Sequence, residues 1–132
     1  MLAPDVMDPI ADAFERALTT PDAEALDALL APDFHIWYNF TNASLDKREA
    51  IAFFQSYFGP VRVRFSDRRR IPMANGWVQQ HRVHAQGPAG LAIEGLPACI
   101  VFTLRGDRIV RIEEYLDSSR SGDFDASTMR QA

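Results

Sequence analysis

Apolar positions follow helical spacing in the first part of the chain. The first helix is predicted to begin between Asp5 and Pro9, and its apolar stripe consists of Ile10, Ala13, Phe14, Ala17 and Leu18. A second helix is predicted after Thr20 and to end at Pro32. A third helix follows Asp46, with Glu49 three positions later as in a capping box, and carries Ile51, Phe54, Tyr57 and Phe58 on its apolar face.

Alternation between apolar and polar residues replaces this pattern in the second half. Residues 33–40 are too aromatic and β-branched for a helix and are predicted to form a strand. Val61, Val63 and Phe65 alternate with polar residues, as in a strand with one buried face. Asn75-Gly76 predicts a hairpin, and further strands are expected at residues 77–86, 98–104 and 108–116.

Helices that precede a run of strands predict an α+β fold. We expect a curved, mostly antiparallel sheet wrapped around the N-terminal helices, which gives a cone-shaped barrel with an internal pocket. Residues 1–118 are predicted to form a single domain, and the small, polar residues 119–132 a mobile tail.

Composition narrows the range of functions. A formal charge of −4 and a pI near 5.3 argue against nucleic acid or a membrane surface as partner, despite the basic run of residues 68–70. Cys99 is the single cysteine, so neither an internal disulfide nor a cysteine-rich metal cage is expected. The N-terminus lacks the pattern of a signal peptide, and a cytoplasmic location is therefore predicted.

The order of these segments resembles the SnoaL-like branch of the nuclear transport factor 2 superfamily, which has a cystatin-like fold. The resemblance rests on residues 29–33 (LLAPD), 34–39 (FHIWYN), 48–51 (REAI), 102–109 (FTLRGDRI) and 114–117 (EYLD). Relatives include ketosteroid isomerase, limonene epoxide hydrolase and the SnoaL polyketide cyclases. The resemblance implies a small-molecule pocket, chemistry without a cofactor, and a homodimer formed through the outer face of the sheet.

Limonene epoxide hydrolase can be compared position by position. It carries Tyr-x-Asn on its first strand, Arg-x-Asp on a middle strand, and Asp before the tyrosine of its last strand. The matching positions here are Trp37 with Asn39, Arg82 with His84, and Glu114. Asn39 and Arg82 are of the same type, whereas the other three differ, so the resemblance implies the fold and does not identify one reaction.

The alternation of side chains along each strand adds further residues to this candidate site. Residues two apart on a strand share a face, which groups His35 and Trp37 with Asn39, Gln80 with Arg82 and His84, and Leu116 with Glu114. The predicted ligand-binding residues are Trp37, Gln80, His35, Phe54 and Leu116. The predicted catalytic residues are His84, Glu114, Arg82 and Asn39.

The chemistry expected of this set is general acid–base catalysis. A carboxyl group on an inward face needs a partner, so Glu114 is expected to pair with Arg82 and His84. His84 would be the base or acid, and Asn39 would orient the substrate. No metal is expected, because His81 and His84 are three apart and lie on opposite faces of a strand.

Three functions remain open from the sequence. The first is a cofactor-independent isomerase, cyclase, dehydratase or hydrolase acting on a small, largely apolar molecule. The second is a non-catalytic ligand-binding or dimerisation module in which the polar residues only satisfy one another. The third is an accessory subunit of a larger enzyme.

Overall fold

The computed structural model describes residues 1–117, and in this part of the chain three helices precede and interrupt a six-stranded sheet. The elements are α1 Pro4–Thr19, α2 Ala23–Leu29, β1 Leu30–Tyr38, β2 Ala43–Asp46, α3 Lys47–Phe58, β3 Arg62–Met73, β4 Gly76–Gln86, a 3-10 turn at Pro88–Gly90, β5 Ala92–Arg105 and β6 Arg108–Leu116. The predicted α+β class is confirmed. The tail predicted for residues 119–132 lies outside the described residues.

The helix boundaries follow local chemistry. Helix α3 begins with the predicted capping box, since Asp46 Oδ1 accepts from the Glu49 amide at 2.9 Å and Glu49 Oε1 accepts from the Asp46 amide at 3.1 Å. Helix α1 begins at Pro4, before the Asp8–Pro9 signal, and therefore includes Pro9. Its buried side, which includes Phe14 and Leu18, faces the sheet.

The sheet is open, with strand order β2-β1-β6-β5-β4-β3. Strands β1 and β6 are parallel, whereas the other neighbours are antiparallel, so the sheet is mixed but mostly antiparallel as predicted. Tyr38 pairs with Glu114 in the β1–β6 ladder. Two features had not been predicted from the sequence: the short strand β2 and the parallel pairing of the first long strand with the last.

Irregular positions bend the sheet around the helices. Asp67 in β3 and Gly95 in β5 have φ angles of 53° and 67°, and register shifts fall near both residues. An extra residue at such a position bends a strand and increases its twist. The concave face that results packs against α1 and α3, for example through Phe14, which makes edge contacts with Phe54 and Phe102.

Candidate functional site

A cavity lies between the concave face of the sheet and helices α1 and α3. Its volume is about 70 Å³, which is room for a few water molecules or a small ligand. Much of its wall is aromatic and includes Phe14, Phe54, Phe58, Phe65 and Phe102. A ligand inside would therefore be mostly surrounded by apolar surface.

Polar side chains interrupt this apolar wall at a few positions. They belong to Glu15 of α1, Tyr38 of β1, Gln79 and His81 of β4, and Glu114 of β6. Strand pairing places several of them in one row across the sheet, because Tyr38 pairs with Glu114, Glu114 with Ile100, and Ile100 with Gln79. Neighbouring strands are about 4.8 Å apart, so Glu114 and Gln79 are within reach of one small ligand.

Glu114 is a carboxylic acid in an apolar environment. No hydrogen bond or ion pair to its carboxyl group is found within residues 1–117. Burial raises the pKa of Glu114 from 4.5 to about 7, because the charged form loses its hydration. Near neutral pH this group is therefore able both to accept and to donate a proton.

Tyr38 stands beside Glu114 and remains a phenol. Burial, and secondarily the nearby charge of Glu114, raise the pKa of Tyr38 well above its usual 10. The ring packs edge-on against Phe53, with 6.1 Å between the centroids. Tyr38 consequently presents a neutral hydroxyl group to this side of the cavity.

His81 is held in the wall by its neighbours on β3 and β4. Its Nδ1 lies 3.0 Å from Gln79 Nε2, and its ring stacks on Phe65 at 4.3 Å between centroids. Its Nε2 has no hydrogen-bond partner among the described residues. Burial lowers the pKa of His81 to about 4, assisted by Arg68 and Arg70 and opposed by Glu15, so the ring is neutral at pH 7.

The middle-strand residues of the predicted site lie on the other face of β4. Arg82 is exposed, donates to the Gly95 carbonyl at 3.1 Å and lies 3.5 Å from Asp67. His84 bonds to Ser66 Oγ at 2.8 Å and accepts from the Gly95 amide at 3.3 Å. The expected pairing of Glu114 with Arg82 and His84 is wrong. Gln79 and His81 are on the face of β4 that borders the cavity, whereas Arg82 and His84 are on its other face.

Gln80 shares this outward orientation. It is exposed, whereas its neighbours Gln79 and His81 are 5% and 4% exposed. A signal for the correct face was present in the sequence, since Val83 and Ala85 alternate with polar residues and share their face of the strand with Trp77, and all three are buried. His81 and Gln79 belong to that apolar series and were missed.

The first-strand predictions are displaced by one position in the same way. Trp37 and His35 border a groove on the convex face, where Trp37 packs edge-on against Tyr115 at 5.3 Å. The inward residues are instead Ile36 and Tyr38. The expectation that His35 and Trp37 line the cavity is therefore wrong.

Asn39 has a structural position at the end of the β1–β6 ladder. Its side chain donates to the Leu116 carbonyl at 3.0 Å and accepts from the Leu116 amide at 2.9 Å. These bonds use both ends of the amide group and align the strand ends. Leu116 itself is buried in a second apolar cluster next to the cavity, whereas Phe54 borders the cavity.

Within residues 1–117 no group of three or more His, Cys, Asp or Glu side chains is arranged to hold a metal ion. No helix of this region has the length and apolar character needed to span a membrane.

Comparison with known families agrees with this architecture. Residues 10–112 match the family model of the SnoaL-like domain, which is most of the chain. The chain belongs to the SnoaL-like family. No protein with a curated description matches the sequence significantly.

Solved structures support the same fold at low sequence identity. A protein from Shewanella denitrificans assigned to the SnoaL-like polyketide cyclases is 19% identical with a TM-score of 0.79, covering 95% of this chain and 99% of that one. An epoxide hydrolase of M. tuberculosis that resembles limonene epoxide hydrolase is 20% identical with a TM-score of 0.71, covering 92% and 88%. A Catenulispora acidiphila protein with a ketosteroid isomerase-like fold, solved in complex with trimethylamine, is 14% identical with a TM-score of 0.71, covering 83% and 85%.

Proposed function

We propose that this SnoaL-like protein binds a small, largely apolar molecule in the cavity and transfers a proton on it through Glu114, without a cofactor. The observation that supports this most directly is the position of Glu114, whose carboxyl group has no partner among residues 1–117 and lies on the wall of an aromatic cavity. A general base works best when its pKa is near the working pH, and the pKa of Glu114 is raised to about 7. The proposal replaces His84 with Glu114 as the proton-transferring group.

The neighbouring groups are suited to such chemistry. Tyr38 and His81 are both neutral near pH 7 and offer polar atoms without adding a buried charge. A ligand that fills the cavity would displace water from its aromatic walls, which would strengthen the interactions between these groups and the ligand. Proton removal and return by one carboxyl group would accomplish an isomerisation, and related steps would give cyclisation, dehydration or hydrolysis.

The proposal can be tested before the natural substrate is known. A panel of small carbon acids that includes cyclohexanone would be incubated with the protein in D₂O, and exchange of their acidic protons followed by ¹H NMR. We expect the protein to accelerate exchange on members that fit the cavity. Glu114→Gln should lower that rate by about 10²- to 10⁴-fold, because a positioned general base contributes about that much.

Glu113 provides a matched control. It neighbours Glu114 on β6, lies on the opposite face near Arg111, and does not border the cavity. Glu113→Gln should therefore leave the exchange rate unchanged. Equal rates for wild type and Glu114→Gln would refute the catalytic proposal. A co-purifying molecule that is bound in the cavity and released unchanged would favour the non-catalytic binding module instead.

We also propose a homodimer formed through the convex face of the sheet. Tyr115 is 44% exposed there and contacts Trp37, so an aromatic pair lies at the surface. Sedimentation equilibrium should give twice the chain mass for wild type and the chain mass for Tyr115→Arg. A monomeric wild type over the micromolar range would contradict this proposal.

A further inference from the structure

One ring nitrogen of His81 has a hydrogen-bond partner among the described residues, and the other has none. Gln79 Nε2 lies 3.0 Å from His81 Nδ1, whereas His81 Nε2 has no hydrogen-bond partner among residues 1–117. The side chain is 4% exposed and borders the cavity. Buried polar atoms are nearly always paired, so this nitrogen marks a position for an atom of the ligand.

Arg70 determines which way the Gln79 amide is turned. Arg70 Nε donates to Gln79 Oε1 at 3.1 Å. A guanidinium group has only donors, so the oxygen of the amide must face Arg70 and the NH₂ group must face His81. His81 Nδ1 therefore accepts a hydrogen bond, and a neutral imidazole in that situation carries its proton on Nε2.

Arg70 is itself fixed from the surface of α1. Its Nη1 lies 3.0 Å from Asp8 Oδ1 and its Nη2 lies 2.9 Å from Asp12 Oδ1. Stacking on Phe65 sets the plane of the His81 ring, with 28° between the two rings. A continuous series of contacts thus runs from two aspartates of the helix to the imidazole in the cavity wall.

We propose that Arg70 and Gln79 are positioning residues that hold His81 as a neutral Nε2–H donor, and that the ligand is a small apolar molecule carrying a carbonyl oxygen at that position. This inference rests on the proposed function and specifies its substrate class. If Glu114 removes a proton from the carbon next to that carbonyl, the C–H electron pair forms a C=C bond and the C=O π pair moves to oxygen. The N–H group of His81 then stabilises the developing negative charge, and return of the proton from Glu114 completes the cycle.

The tautomer can be measured on the wild-type chain without any ligand. Long-range ¹H–¹⁵N correlation spectra at pH 7 distinguish the two neutral tautomers and the cation, and His81→Phe assigns the signals. We expect His81 to be neutral and protonated on Nε2. A ring protonated on Nδ1, or a cationic ring at pH 7, would overturn the inference.

Gln79→Glu tests the role of the amide. A carboxylate at this position only accepts, so Nδ1 should become protonated and the ring should change tautomer or become cationic. Gln80→Glu, one residue along β4 on the exposed face, is the matched control and should leave the His81 spectrum unchanged. An unaltered His81 tautomer in folded Gln79→Glu protein would overturn the positioning role. If this variant does not fold, the wild-type tautomer and the ligand pair below decide.

The substrate class is tested with two probes of similar shape. Cyclohexanone carries a carbonyl oxygen, and methylenecyclohexane replaces that oxygen with a CH₂ group. NMR titration should show cyclohexanone binding about three- to tenfold more tightly, as expected for one net hydrogen bond, with a shift of the His81 Nε2–H signal. Equal affinities would overturn the inference.

The two proposals fail in different ways. A ketone preference without proton exchange in D₂O would refute the role of Glu114 and leave the donor role of His81 standing. Exchange that depends on Glu114 without a ketone preference would refute the donor role of His81 and leave the role of Glu114 standing. Loss of both would refute both.

Discussion

The opposite pKa changes of Glu114 and His81 give a sharp prediction for stability. Glu114→Gln keeps the size of the side chain and removes the ability to ionise. At pH 4 the carboxyl group is protonated in the folded and unfolded chains, so the variant should be nearly as stable as wild type. At pH 8 wild type has to keep a half-buried, poorly hydrated carboxylate on the cavity wall, and the variant should be the more stable protein.

The magnitude follows from the pKa values. The pKa of Glu114 is about 7 in the folded protein against a reference of 4.5, a difference of about 2.5. At 1.36 kcal/mol per pH unit this corresponds to about 3 kcal/mol. Since the folded state holds the proton more tightly, the free energy of unfolding of wild type loses this amount between pH 4.5 and 7. Because glutamine does not ionise, Glu114→Gln does not lose this amount, and its stability relative to wild type should rise by it over the same interval.

His81 produces the opposite trend in an overlapping interval. Its pKa falls from 6.5 to about 4 on folding, so the unfolded state binds protons more readily and stability rises by about 3 kcal/mol from pH 4 to 6.5. In wild type the two contributions largely cancel between pH 4.5 and 6.5. In Glu114→Gln the contribution of His81 is no longer cancelled, so the free energy of unfolding of this variant should rise with pH.

Urea unfolding followed by tryptophan fluorescence at pH 4, 5, 6, 7 and 8 measures these differences. Glu113→Gln on the opposite face is the control, and its difference from wild type should not follow the same curve. A constant difference between Glu114→Gln and wild type across this range would show that the carboxyl group is not desolvated. The argument for Glu114 as a proton-transferring group would then be lost.

Two further predictions concern Asn39 and His84, which were expected to be catalytic and which make structural hydrogen bonds instead. Asn39→Leu should lower the free energy of unfolding by about 1–3 kcal/mol, measured by urea unfolding, because the Leu116 amide and carbonyl both lose their partner. His84→Phe should cost about 1–2 kcal/mol through loss of the bonds to Ser66 and Gly95. Its proton-exchange rate should remain that of wild type, and a large loss of that rate would return His84 to the candidate site.

The fold could be predicted because its signals are repeated along the chain. Each helix is supported by several apolar positions and by local start signals such as Asp46 and Glu49, so an error at one residue changes little. The parallel pairing of β1 with β6 joins residues far apart in sequence and has no local signal. Strand β2 was missed because residues 43–46 are too few to show alternation.

The prediction of the site was less accurate, because it depended on which face of a strand each single residue occupies. A shift of one residue moves every side chain of a strand to the other face. On β1 the aromatic residues Trp37 and Tyr38 are adjacent, so alternation alone does not decide which one faces inward. On β6 the polar Arg111 and the apolar Ile112 define the faces, and Glu114 was placed on the inward face correctly.

The energetic cost of Glu114 is itself an argument about the cavity. Were this space only part of the core, an apolar side chain in the row of Tyr38, Ile100 and Gln79 would pack there without the roughly 3 kcal/mol lost at neutral pH. Arg70 does not offset that loss, because its guanidinium group contacts Gln79, Asp8 and Asp12. Among residues 1–117 the carboxyl group has no pairing partner, which costs stability at neutral pH in the protein alone, and the proposed function predicts that a polar ligand atom in the cavity would offset this cost.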